Sequence, residues 1–363
     1  MNIFSDATLD VRNDKKQPGS YEWWYFDAVS SDGKYNFVVI FYEGNPFSTR
    51  YNRALTDDEK APMPHHYPAI SISIYEGSDP IYYSFTEFEE TDCVFGTDYP
   101  RVEIGPHQMI GKMDEDALKY TLDLIENLPN GDSIEASIKF KSPAIEKSLF
   151  TNAEMNKSVG HQWNLVQPRA EVNGKIQLSA QNEEKRKIEF EGHGYHDHNT
   201  GHEPMRNEFR DWYWGRFHFD DFTLVYYVMN RQQTDQHRAW LISNSNDRVL
   251  DVFDDFELLD KGLTLFGLHT ARKINLKSPN TETQIQQSVL LDNGPFYQRF
   301  MSHAFLQISG EHIMESVSGI TEYLYPSRIY SRLFWPFVDM RIRYMTEGPH
   351  WVQRSKMLYR WTW

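Results

Sequence analysis

The stretch Ile70-Ser71-Ile72-Ser73-Ile74 alternates a branched apolar residue with a small polar one, the period-two pattern of a strand that buries one face and leaves the other wet. The pattern returns in Ile134, Ala136, Ile138 and Phe140. Asp32-Gly33, Asn130-Gly131, Asn173-Gly174 and Asn293-Gly294 offer the positive φ angles that two-residue hairpins require. Alternating strands joined by tight turns predict an antiparallel meander. No 3.6-residue pattern is sustained until Ser327 to Phe337, where a short C-terminal helix fits between Pro326 and Pro336. The fold class read from these patterns is all-β.

At 363 residues the chain exceeds one ordinary domain. Glu22-Trp23-Trp24-Tyr25-Phe26 opens one aromatic strand and Asp211-Trp212-Tyr213-Trp214-Gly215 opens another. Each leads through a turn into an alternating strand, Phe37 to Tyr42 and Thr223 to Tyr227. Trp23 and Trp212 are 189 residues apart, near half the chain, the offset that duplication of one β unit would leave. Gln181 to Lys187 is charged and lacks apolar residues, as a solvated connection would. The expected domains are therefore 1–185 and 186–363.

A net charge of −15 argues against a nucleic-acid partner, because phosphate binding needs the opposite sign. The charge is uneven. Tyr323 to Trp363 holds seven basic and two acidic residues, a local +5, so the remainder carries −20. No apolar run approaches the ~20 residues of a spanning helix, and the opening MNIFSDATLDV lacks the basic and apolar regions of a secretory signal. The expected place is the cytoplasm, with the basic, aromatic C-terminus available for peripheral membrane contact. Cys93 stands alone and reads as a small packed residue. Aromatics make up 15% of the chain and serve either as bulky packing or as the lining of a pocket for a flat, conjugated ligand.

Gly192 to His202 is the densest polar cluster. On extended backbone His196 and His198 share one face and Asp197 takes the other. His196, His198 and Glu203 fit the HxH-x4-E core of the metal-binding cupin motif, but Phe190 and Arg210 stand where that motif wants glycine. No metal is expected. The structural alternative is a set of histidines and Asn199 tying down a domain junction by hydrogen bonds. There is no GxSxG, P-loop, HExxH or GxGxxG motif, which speaks against nucleotide and serine-hydrolase chemistry.

EWWYFDA (Glu22 to Ala28), GYHDHN (Gly194 to Asn199) and WYWGR (Trp212 to Arg216) together resemble the signature of the carotenoid 1,2-hydratase family, also called hydroxyneurosporene synthases. The resemblance implies two lipocalin-like (calycin-like) β halves with a site near their junction. It also implies hydration of terminal isoprenoid double bonds without metal or redox cofactor, and more distant members cyclise polyenes. His198 is then the candidate acid, with Asp197 and His196 tuning or orienting it, and Tyr226 matches a downstream family tyrosine. Tryptophan faces stabilise cations by roughly 0.5 to 2 kcal/mol each, so Trp23, Trp24, Trp212 and Trp214 are candidate lining. Arg216 can anchor a ligand carboxylate or phenolate, or pair with a nearby acid. Thr200 stands where the hydratases carry tryptophan, and Val228 where an acid is expected. Those departures leave hydration, isomerisation and cyclisation of a hydrophobic polyene open, beside noncatalytic carriage of such a ligand.

Overall fold

The computed structural model describes residues 1–57, 61–143, 160–180, 184–246, 248–309 and 313–363. Gln181 to Glu183 of the expected charged connection lie outside them. The chain forms two compact units, Met1–Met205 with Arg332–Thr362, and Arg206–Ser331 with Trp363. Both are built of antiparallel, curled sheet of lipocalin-like type.

In unit 1, β1 (Tyr21–Ser30), β2 (Tyr35–Glu43), β3 (Ala69–Glu76) and β4 (Asp79–Glu87) make one meander. A second consists of β5 (Ala117–Asn127), β6 (Ser133–Pro143), β7 (Gln162–Ser179) and β8 (Arg186–Gly201). Pairing of β1 with β8 joins the two. Unit 2 has the same order. There β9 (Phe209–His218), β10 (Phe222–Arg231), β11 (Gln236–Ser243) and β12 (Val249–Phe253) form one meander. β13 (Lys273–Lys277), β14 (Thr281–Asn293), β15 (Tyr297–Ile308) and β16 (Ile313–Leu324) form the other, and β9 pairs with β16. Trp23 on β1 and Trp212 on β9 thus sit on strands of equivalent place in the two sheets.

The expected boundary at 185/186 falls between β7 and β8, which pair from Leu178 and Arg186 onward. β8 is hydrogen-bonded on both edges, to β7 and to β1, so the division of the chain comes after Met205. The segment from Arg332 returns to unit 1, where Arg343–Tyr344 adds to the edge of β4 and the Tyr344 hydroxyl lies 2.8 Å from Thr49 Oγ1. Sequence periodicity carries no information about that long-range return.

β6 shows how alternation makes a core: Ile134, Ala136, Ile138 and Phe140 are buried while Glu135, Ser137, Lys139 and Lys141 are exposed. β3 differs from its reading, because Ser71 and Ser73 are buried along with the three isoleucines. Gly33 and Gly131 take the positive φ expected of hairpin turns, 70° and 91°. Gly174 instead lies inside β7, where an added Cβ would come within 2.6 Å of the Ser137 carbonyl; close strand approach, not a turn, requires glycine there. The C-terminal helix α1 is Trp335–Arg341, preceded by a 3-10 turn at Pro326–Arg328. Pro336 opens the helix rather than bounding it, since a first-turn proline loses no intrahelical hydrogen bond. A second short helix, α2, spans Lys356–Trp361. Among the described residues no helix is long and apolar enough to cross a membrane.

Candidate active site

The first part of β8 alternates buried and exposed residues, but from Gly194 to Gly201 every position is buried. That change marks the stretch where both faces of the strand are covered. Register sets Phe26, Trp24 and Glu22 of β1 opposite His196, His198 and Thr200. The rings meet face to face: Phe26 and His196 centroids are 3.8 Å apart at 7°, and Trp24 and His198 centroids are 4.6 Å apart at 15°.

Onto this face the N-terminal segment delivers Asp10, Arg12, Asn13 and Lys15. Asp10 bridges the histidines, with Oδ2 3.0 Å from His196 Nε2 and Oδ1 3.1 Å from His198 Nδ1; Tyr120 of β5 also donates to Oδ2. His196 Nδ1 donates to the Tyr25 carbonyl at 3.0 Å. The other nitrogen of His198, Nε2, is 2.8 Å from Glu22 Oε1. That oxygen also accepts from the backbone N–H and side chain of Asn13, at 2.9 and 2.8 Å, and from the Thr200 hydroxyl at 3.1 Å. Lys15 is ion-paired with Glu22 and lies 2.7 Å from Glu43, which also receives a forked pair from Arg12. Three buried carboxylates therefore face Lys15, Arg12 and His198.

Burial alone would push the Asp10 carboxyl up, but the adjacent His196 and His198 overcome it and hold the group down at about 2. Glu22 is likewise held below the ordinary carboxylate range despite burial, by Lys15 and His198. For His198 burial pulls down, yet hydrogen bonds and charge from Asp10 and Glu22 raise it to about 9. The site therefore holds an imidazolium at neutral pH, stacked under an indole.

Asp197 does not face His198. Its carboxylate lies on the opposite side of β8, accepting from the Trp163 indole and the Tyr195 hydroxyl at 2.7 Å each and from Asn199 at 2.8 Å. Asn199 in turn meets His161 Nε2 at 2.9 Å, and Tyr21 meets His161 Nδ1 at 3.0 Å. Trp23 belongs to that side as well, stacked on Tyr21 at 5.3 Å. The aspartate beside His198 is Asp10. Glu203 is exposed while His196 and His198 are buried, so the cupin-like triad is not brought together.

In unit 2, Trp212, Trp214 and Arg216 share one face of β9 and are buried. Tyr226 points to the other face, into an apolar core with Tyr213, Phe217, Val228 and Tyr323. Burial pushes its phenol well above the ordinary value.

The family model for carotenoid hydratase CrtC matches residues 39–348. This chain belongs to the carotenoid hydratase family. It is 31% identical over 360 residues to a hydroxyneurosporene dehydrogenase from Chlorobaculum tepidum, covering 94% of this chain and 92% of the relative. An acyclic carotenoid 1,2-hydratase from Rubrivivax gelatinosus is 25% identical, with 78% of this chain and 65% of the relative covered. Among solved structures, CghA superposes with a TM-score of 0.60 at 12% identity, over 86% of this chain and 90% of that one. A protein described as a putative AttH from Nitrosomonas europaea superposes at 0.55 and 14%, over 84% and 92%. At such identities these two show the shared lipocalin-like fold.

Sequence reading paired the histidines and missed their carboxylates. Glu22 carried a usable signal, since it alternates with Trp24 and Phe26 in a quoted strand. Asp10 carried none, because an acid in a turn-rich leader looks the same whether solvated or buried.

Proposed function

We propose that this chain is a cofactor-independent enzyme that acts on an apolar polyene or isoprenoid by acid catalysis, with His198 as the proton donor. The observation that carries the reading is the fully buried His198 imidazolium, held near 9 between Asp10 and Glu22 under the face of Trp24. A site that only carries a polyene needs an apolar cavity and no buried proton store.

Protonation of a trisubstituted alkene breaks the imidazolium N–H bond as a C–H bond forms, leaving a tertiary carbocation and neutral imidazole. Water adds to the cation and returns its proton to the imidazole, so alkene and water give a tertiary alcohol. Loss of a neighbouring proton gives an isomer or, after ring closure, a cyclised product. The Nε2–H bond to Glu22 is the one to exchange for substrate, because Glu22 keeps Lys15, Asn13 and Thr200. Trp24 stacks on the His198 ring, where its π face favours the imidazolium form, and its indole N–H has no acceptor among the described residues. Asp10, not Asp197, orients the imidazole. Trp212, Trp214 and Arg216 remain candidate ligand contacts, and Tyr226, inside its own core, is the weakest catalytic candidate.

Membrane-dissolved substrate would reach the protein through the C-terminal segment, where Trp351, Met357 and Trp361 are 65%, 76% and 72% exposed beside the cationic Arg354. The test of function is incubation of the purified protein with acyclic polyenes, followed by mass spectrometry. Gain of one water, or an isomer with shifted absorbance, supports the enzyme; recovery of unchanged bound polyene supports the carrier.

A further inference from the structure

A second group of metal-ligating side chains lies away from the buried histidines. His65 and His66 sit in the 3-10 turn Pro64–His66 between β2 and β3, and Glu90 opens the turn Glu90–Asp92 after β4. His65 Nε2 is 3.7 Å from Glu90 Oε1, and His66 Nε2 is 3.5 Å from Glu90 Oε2. Each imidazole thus takes one oxygen of the same carboxylate, and one ligand atom from each of the three residues lies within 4.8 Å of the others.

The two turns are fixed relative to each other by backbone. Phe88 N–H donates to the Pro68 carbonyl at 2.9 Å, two residues from the ligands on either side. Within the turns, Tyr67 N–H bonds Pro64 O at 3.0 Å and Asp92 N–H bonds Glu89 O at 3.1 Å. The three side chains are partly exposed, at 33%, 49% and 53%, so an ion can enter from solvent.

A plain ion pair accounts poorly for this arrangement. Both separations exceed hydrogen-bond length, and charging both rings to make two full ion pairs would set like charges side by side, since their centroids are 4.3 Å apart. Neutral imidazoles around a divalent ion have no such conflict. Tetrahedral zinc with bonds of about 2.0 to 2.1 Å sets its ligand atoms roughly 3.3 to 3.4 Å apart, close to the observed histidine–carboxylate separations of 3.5 and 3.7 Å.

We propose that His65, His66 and Glu90 form a surface site for a divalent transition-metal ion of borderline softness, with Zn²⁺ the best match to two imidazoles and a carboxylate. The protein supplies three ligands and solvent supplies the rest. The bound ion pins the β2–β3 connection to the turn after β4. The site is separate from the buried acid, and its existence does not depend on the proposed reaction.

The experiment is calorimetric titration of the full chain, stripped with chelator and desalted, with Zn²⁺, followed by Co²⁺ as a spectroscopic probe. One saturable equivalent is expected, with Co²⁺ bands of low-coordinate N/O ligation. Glu90→Gln and His66→Ala should each weaken Zn²⁺ at least as much as the roughly 10- to 100-fold lost when a ligand's supporting bond is removed. Unchanged thermal unfolding without metal will show that these surface variants fold. His198→Gln should bind Zn²⁺ as the wild type does. Absence of saturable binding, or saturable binding that survives both Glu90→Gln and His66→Ala, overturns the proposal.

Discussion

Asp10 Oδ1 lies 3.1 Å from His198 Nδ1, with both side chains buried. This pair ties the N-terminal segment to β8 and gives the protein two pH limits. Asp10 is held at about 2 against an ordinary 3.8, so its contribution is present above 3.8 and is lost as pH falls through about 2. His198 is raised from 6.5 to about 9, so its contribution is full below 6.5 and is lost as pH rises through 9. Glu87, pushed up to about 7 by burial, adds a loss between 4.5 and 7. Thermal unfolding of the wild type should therefore weaken steadily from pH 6.5 to 9.5, whereas His198→Gln should keep only the Glu87 part of the loss, up to about pH 7, and be flat from there to 9. Glu87→Gln should remove only the lower part of the decline. A wild-type curve flat across that range would contradict the imidazolium assignment.

The indole of Trp24 provides a second test, because it contributes both packing and a π face to His198. Trp24→Leu should cost about 2 to 4 kcal/mol of stability through the cavity it leaves. It should also lower the His198 pKa by about 0.4 to 1.5 units, since cation–π attraction is worth roughly 0.5 to 2 kcal/mol while Asp10 and Glu22 stay in place. NMR titration of the His198 ring reads this directly. A return to 6.5 would mean that the indole, and not the carboxylates, sustains the charge.

Six large hydrophobic side chains are exposed between Leu333 and Trp361. Lys356 and Arg360 of α2 are within 3.3 and 3.7 Å of Asp132 and Asp79, which limits the free positive charge. Binding to vesicles should therefore depend more on the aromatics than on salt. Replacing Trp351, Met357 and Trp361 together by serine should abolish co-sedimentation with phosphatidylglycerol vesicles and leave unfolding nearly unchanged. Equal sedimentation of wild type and variant would remove this segment as the docking surface.

The local half of the structure was legible because strand alternation and turn chemistry are written over a few residues. β6 and the shared face of His196 and His198 follow from period two, and the Asp32-Gly33 and Asn130-Gly131 turns from the positive φ that glycine supplies. What escaped depends on residues far apart in the chain. Asp10 reaches a histidine 188 positions away, β8 is claimed by β1 across an expected boundary, and the C-terminal segment returns to unit 1. Asp197, given a tuning or orienting role through the family resemblance, bonds Trp163 and Tyr195 on the face away from His198, which is where period two already puts it.

The most direct test replaces His198 by glutamine, which keeps hydrogen-bonding capacity between Asp10 and Glu22 but cannot donate an acidic proton, and by alanine as a second variant. After thermal unfolding shows which of them is folded, turnover of an acyclic polyene is followed by water gain or by change in absorbance. The expected result is a fall in kcat of about 10²- to 10⁴-fold, the usual contribution of general acid catalysis, with KM changed only a few-fold. Turnover at the wild-type rate in a folded variant would contradict His198 as the acid.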